Sequence, residues 1–174
     1  MQEVLNAMKE RRSIRKYKAD KVSKEILDKV IEAGLYAASA KGSQSPILVA
    51  ITDEVWLKRL SKKNCEIGGW KEGFDPFFGA PAAILVLVPS DWANGERDGS
   101  LSMGNLMLAA HALGLGSCWI NRAKETFESE EGKVMLKEMG IEGEYSGVGF
   151  CVLGYADTEE VKAAPRKENR VFYL

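Results

Sequence analysis

The chain has 174 residues, 45% hydrophobic and 28% charged, with a formal net charge of −1. That is enough apolar chain for one globular domain over 1–174, and the charge balance excludes the basic surplus of a duplex-binding protein, so no nucleic acid partner is expected. No apolar stretch reaches about 18 residues and the first residues lack a basic segment followed by an apolar run, so no membrane or secretion signal is expected and the chain reads as cytoplasmic.

Val4, Leu5 and Met8 mark a short first helix. Directly after it come Arg11, Arg12, Ser13, Ile14, Arg15, Lys16 and Tyr17, with no acid among them. A guanidinium presents a planar fork of donors that matches phosphate oxygens, and a serine hydroxyl adds a further donor. The run therefore points to a phosphorylated small molecule, against the blander alternative of a solvated helix end whose cations favour the dipole. In extended chain Arg11, Ser13, Arg15 and Tyr17 would share one face, with Ile14 on the other.

Ser23 is placed to cap a helix carrying Ile26, Leu27, Val30, Ile31 and Leu35, running to about Ala38. The small, polar connection from Ser39 to Pro46 leads into an apolar strand over 47–52. Asp53 is placed to cap a short helix with Val55, Trp56 and Leu60, expected to end at Lys62, Lys63 and Asn64. From Gly68 to Gly79 four aromatics, Trp70, Phe74, Phe77 and Phe78, crowd a glycine-broken loop that has no periodicity to bury them. Either a ligand or partner subunit covers them, or they fold back on their own core.

Residues 82–88 form a fully apolar second strand. Asp98 is expected to open the most apolar helix, which Gly114 ends ahead of a third strand at Cys118, Trp119 and Ile120. His111, among Ala and Leu, is expected to be a satisfied core residue. One further helix is expected over 126–139, with Val134, Leu136 and Met139 inward. A last strand over 147–155 carries glycines where another chain segment must approach closely. The apolar terminus Val171, Phe172, Tyr173 and Leu174 suggests an arm that joins a neighbouring sheet edge.

Cys65, Cys118 and Cys151 stand far apart beside a single histidine, which suggests neither a disulfide framework nor a metal site. Gly114-Leu115-Gly116 and Gly147-Val148-Gly149 lack both the spacing and the strand-to-helix setting of a dinucleotide-binding turn. No nucleophile elbow, phosphate-binding Walker loop or zinc-protease helix motif occurs. The chemistry is therefore expected to belong to a cofactor.

Taken together, Arg11 to Arg15, the Ala38–Ala40 to Gln44–Pro46 connection, and the run from Leu108 to Ile120 resemble the nitroreductase family of flavin enzymes over nearly the whole chain. The resemblance implies an α+β fold with a central, mostly antiparallel sheet around a core helix, flanked by helices. It also implies a homodimer exchanging C-terminal arms, with FMN at the subunit interface. Carried over by position, Arg11 and Ser13 would hold the phosphate and ribityl chain, Arg12 would sit nearby, and Arg15 would lie at the pyrimidine edge. Arg166 and Lys167 would return to the phosphate. Ser39, Ala40 and Gln44 would reach the flavin of the other subunit, and Trp119, Ile120 and Asn121 would border the ring. Gly42 and the Ser45-Pro46 pair depart from the family pattern.

The implied function is reduction of an electron-poor small-molecule acceptor (nitroaromatic, quinone or enone) by NAD(P)H through FMN in a ping-pong exchange, with no catalytic side chain. The alternative is a flavin carrier or sensor without NAD(P)H turnover.

Overall fold

The computed structural model describes residues 2–159 and 161–174. In chain order the elements are α1 (Gln2–Glu10), α2 (Lys24–Leu35), β1 (Ile47–Ile51), α3 (Glu54–Gly68), β2 (Ala82–Pro89), α4 (Gly95–Ala112), β3 (Gly116–Ile120), α5 (Ala123–Glu128), α6 (Glu130–Glu138) and β4 (Tyr145–Gly154). The strands form one sheet in the order β1-β2-β4-β3, antiparallel throughout. None of the described helices is long and apolar enough to cross a membrane.

Alternation along the strands divides the interior into two layers. One face of the sheet presents Ala83, Leu85, Leu87, Phe150 and Val152, packed with Leu57 and Leu60 of α3, Phe127 of α5 and Met135 of α6. The other presents Ala82, Ile84, Val86, Cys151 and Leu153, packed with Leu27 and Val30 of α2 and Met103 and Leu106 of α4. Covered on both faces, β2 needs apolar residues at every position, which is why it reads as an unbroken run. Each fully buried Leu or Phe here contributes about 1.5–3 kcal/mol.

The local signals act where expected at two helix starts. The Ser23 hydroxyl accepts from the Ile26 amide, and the Asp53 carboxylate accepts from the Val55 and Trp56 amides. Glycines also mark close approaches. A Cβ on Gly147 would lie 2.4 Å from the Ala123 backbone, and one on Gly99 would lie 2.5 Å from Val148, where the β2–β4 register shifts by a bulge.

Other expectations need correction. Helix α3 does not stop at Asn64 but continues to Gly68, capped by left-handed Gly69, so Asn64 is buried rather than terminal. Helix α4 begins at Gly95, three residues before Asp98, whose side chain turns inward instead of capping the helix. The helix expected over 126–139 is two, because the Ser129 hydroxyl donates to the Thr126 carbonyl and accepts from the Gly132 amide, ending one helix and starting the next. Val134 faces solvent while Met135 and Leu136 are buried. His111 is half-buried and lines a groove between α1 and α4 instead of sitting in the core. The aromatic loop divides: Phe77 is buried against Phe150, whereas Trp70 and Phe74 are exposed.

Candidate functional site

The site begins where α1 ends. Arg12 folds back to donate to the carbonyls of Arg11 and Lys9, so its guanidinium closes the helix end. The chain then crosses the outer side of β3: Ser13 bridges Ser117, and the Ile14 amide donates to the Ser117 carbonyl at 2.9 Å. The crossing needs Gly116, since a Cβ there would lie 2.8 Å from Ile14. Tyr17 does not stay on the polar face with Arg11, Ser13 and Arg15. It packs against the core and donates to the Ile14 carbonyl at 2.7 Å, and burial raises its phenol well above the ordinary value.

This crossing leaves a defined edge. Strand β3 has β4 on one side only, and beyond Ser117 its other side is open. Main-chain groups of successive strand residues alternate in direction, so with the Ser117 carbonyl pointing outward the amide of Trp119 does too. Ile120 instead sends its side chain into the core, 7% exposed. Trp119 is half-buried with its ring over Gly149, where a Cβ would lie 2.5 Å from the indole nitrogen.

Several polar atoms around this edge lack partners. Arg11 Nη1, Ser117 Oγ and Trp119 Nε1 are buried without a hydrogen-bond partner. Among the described residues no ion pair involves Arg11, Arg12 or Arg15. An unpaired buried guanidinium nitrogen is costly unless an acceptor reaches it, so the donor set suits an anion. Of the cysteines near this edge, Cys118 and Cys151 are both buried, and burial pushes the Cys151 thiol up to about 12.

The remaining expected residues are only partly assembled. Ser39 accepts from the Gln44 amide, the Ala40 amide is committed to Asp98, and the Gln44 side chain is exposed. Arg166 folds onto the Ala164 carbonyl, and 163–174 are exposed, so the fold of one chain does not tie Arg166 or Lys167 to Arg11 by any described hydrogen bond or ion pair. A cavity of about 800 Å³ opens beside Leu57, Cys65, Trp70, Phe74 and Pro81, and it contains none of these residues. The donor-rich edge of β3 is therefore a better candidate than this cavity.

The sequence profile of the nitroreductase family matches residues 8–155. The chain belongs to the nitroreductase family. A candidate NADH dehydrogenase/NAD(P)H nitroreductase of Archaeoglobus fulgidus is 31% identical over 174 residues, 92% of this chain and 89% of that protein. One of the same description from Methanothermobacter thermautotrophicus is 32% identical over 124 residues, 67% of this chain but 60% of that protein, so the chain spans less than two thirds of that relative. The crystal structure of a nitroreductase with bound FMN from Bacteroides fragilis aligns with a TM-score of 0.91 at 26% identity, covering 99% of this chain and 98% of that one.

Within this nitroreductase-family chain, three residues hold the surrounding backbone in ways that their sequence neighbours do not signal. Asn64, fully buried on α3, donates to the Asn121 carbonyl at 2.6 Å. Asp98 gathers the Ser39–Ser45 connection from the far end of α4. Arg122 takes a left-handed backbone, φ 77°, immediately after Asn121 and turns the chain into α5.

Proposed function

We propose that this chain is an FMN-dependent oxidoreductase in which NAD(P)H supplies electrons for an electron-poor small-molecule acceptor of nitroaromatic, quinone or enone type, in a ping-pong exchange. The observation that carries this reading is the buried, unpartnered Arg11 Nη1 next to the open edge of β3. The residues present fit the group: Arg11 and Ser13 offer donors to a phosphate and ribityl chain, and the outward amide of Trp119 offers a donor to a planar ring. FMN, when bound, supplies the two-electron chemistry. Relatives with NAD(P)H in their names and an FMN-bound neighbour support the choice of donor and cofactor.

Arg15, exposed and unpaired, would place a fixed cation at the electron-rich edge of the ring, favouring negative charge there. Orientation and electrostatics are then the protein's contribution.

The working unit is a homodimer in this reading. Val4, Leu5 and Met8 on α1 and Leu101 on α4 are exposed apolar residues, and Phe172, Tyr173 and Leu174 lie in solvent in the single chain. A second copy would cover them and bring Ser39, Ala40 and Gln44, and the C-terminal Arg166 and Lys167, to a shared site.

Anaerobic mixing of the FMN-loaded protein with NADH and, separately, NADPH tests the reading. Rapid bleaching of the visible flavin band by at least one of them is expected, followed by recovery on adding a quinone. Retention of FMN without bleaching would replace the enzyme with a carrier.

A further inference from the structure

Asp98 is 2% exposed and no cation pairs with it among the described residues. Its carboxylate is held by neutral donors. One oxygen accepts from the Ala40 amide at 2.9 Å; the other accepts from the hydroxyls of Ser45 at 2.8 Å and Ser43 at 3.3 Å and from the Trp92 indole at 2.8 Å. Three of the four donors belong to one connection, more than 50 positions earlier in the chain.

That connection is not a relaxed loop. Lys41 at φ 56° and Gln44 at φ 49° both lie in the left-handed region, with Gly42 between them at φ 63°. Side-chain-bearing residues persist there only where the surroundings over-determine the conformation. Inside the connection the Gln44 amide donates to the Ser39 hydroxyl and the Gly42 and Ser43 amides donate to the Ser39 and Ala40 carbonyls, and the three bonds to Asp98 tie it to the rest of the fold. Asp98 is itself fixed, because neighbouring glycines seat the start of α4 directly on the sheet: Gly95 on Val88 and Gly99 on Val148. Its position in the first turns of α4 adds the favourable end of the helix dipole to the carboxylate.

We propose that Asp98 is the positioning residue of the flavin-facing connection: its buried charge holds Ser39, Ala40 and Gln44 in the conformation that meets the cofactor. The proposal rests on the FMN reading above. Asp98 touches no substrate and no reacting atom in this role. It acts through the loop, so its loss should loosen the loop and weaken cofactor binding without dissolving the sheet.

Hydrogen exchange of the apoprotein, read by mass spectrometry, and FMN titration by fluorescence quenching test this on Asp98→Asn and on the milder Ser45→Ala. For Asp98→Asn the expected result is at least about tenfold faster exchange across 39–46, unchanged exchange in β2, and a dissociation constant for FMN raised about tenfold. Ser45→Ala, which keeps the charge and removes one donor, should shift both in the same direction by less. Unchanged exchange at 39–46 in both variants, or acceleration spread equally over β2 and α4, would overturn the positioning role. Wild-type protein that takes up no FMN would overturn the cofactor reading instead, while the exchange measurement would still decide what Asp98 does to the loop.

Discussion

The side-chain amide of Asn64 donates to the main-chain carbonyl of Asn121 across 2.6 Å, tying the middle of α3 to the residue just beyond β3. The bond fixes the direction of the strand end whose outward amide is proposed to meet the flavin. Asn64→Leu keeps the approximate volume but leaves that carbonyl unpaired in a buried setting. A loss of about 1–3 kcal/mol in urea unfolding is expected, with weaker FMN binding.

The arginines separate into two roles. Arg11→Ala should raise the FMN dissociation constant tenfold or more, since a charge-assisted bond is worth about 1.5–3 kcal/mol. Arg11→Lys should recover only part of this, because a point charge cannot reproduce the fork. Arg15→Ala should bind FMN more weakly or slow its reduction by NAD(P)H, which stopped-flow absorbance would resolve. Parent-like binding and reduction in the Arg15 variant would remove Arg15 from the site.

Gly149 exists for the sake of Trp119. A methyl at that position would lie 2.5 Å from the indole nitrogen, with the ring carbons close behind. Gly149→Ala should therefore displace the ring, cost about 1–3 kcal/mol and alter the near-ultraviolet circular dichroism of the tryptophans. An unchanged spectrum and melting temperature would show that the ring moves freely.

Acid should act through Asp98. Burial on its own would raise this carboxyl, but the donors of Ala40, Trp92, Ser45 and Ser43 outweigh it and hold it below the ordinary carboxylate range. A depressed folded value means that the stabilisation is complete above the unfolded value of about 4 and drains away as pH falls through the folded one. The parent should therefore lose stability below about pH 4 more steeply than Asp98→Asn, which starts lower at neutral pH. Denaturant unfolding at several pH values measures the two slopes.

What could be read in the sequence is what acts locally. The caps at Ser23 and Asp53, the buried run of β2 and the close approaches at Gly147 and Gly149 depend on near neighbours or on one residue's lack of a side chain. The cation run from Arg11 to Arg15 is legible for the same reason, as a local density of donors with no acid beside it. The break at Ser129 depends on Gly132 fitting against the Thr126 carbonyl, where an added Cβ would lie 1.8 Å away, and no helical periodicity reports that. Asn64 looked like a polar helix end because its partner, Asn121, is 57 residues away. Asp98 looked like a cap for the same kind of reason, its loop donors lying 53 to 58 residues upstream. His111 has apolar neighbours in sequence, but the helix turns it into the groove beside α1.

The most direct measurement is an equilibrium titration of the purified protein with FMN, following quenching of flavin fluorescence, with the mass of the complex taken at saturation. Tight, saturable binding of one FMN per chain in a dimer is expected, lost or sharply weakened in Arg11→Ala. Flavin fluorescence that stays at its free value at excess protein, or a saturated protein that remains monomeric, would contradict a shared cofactor site at the open edge of β3.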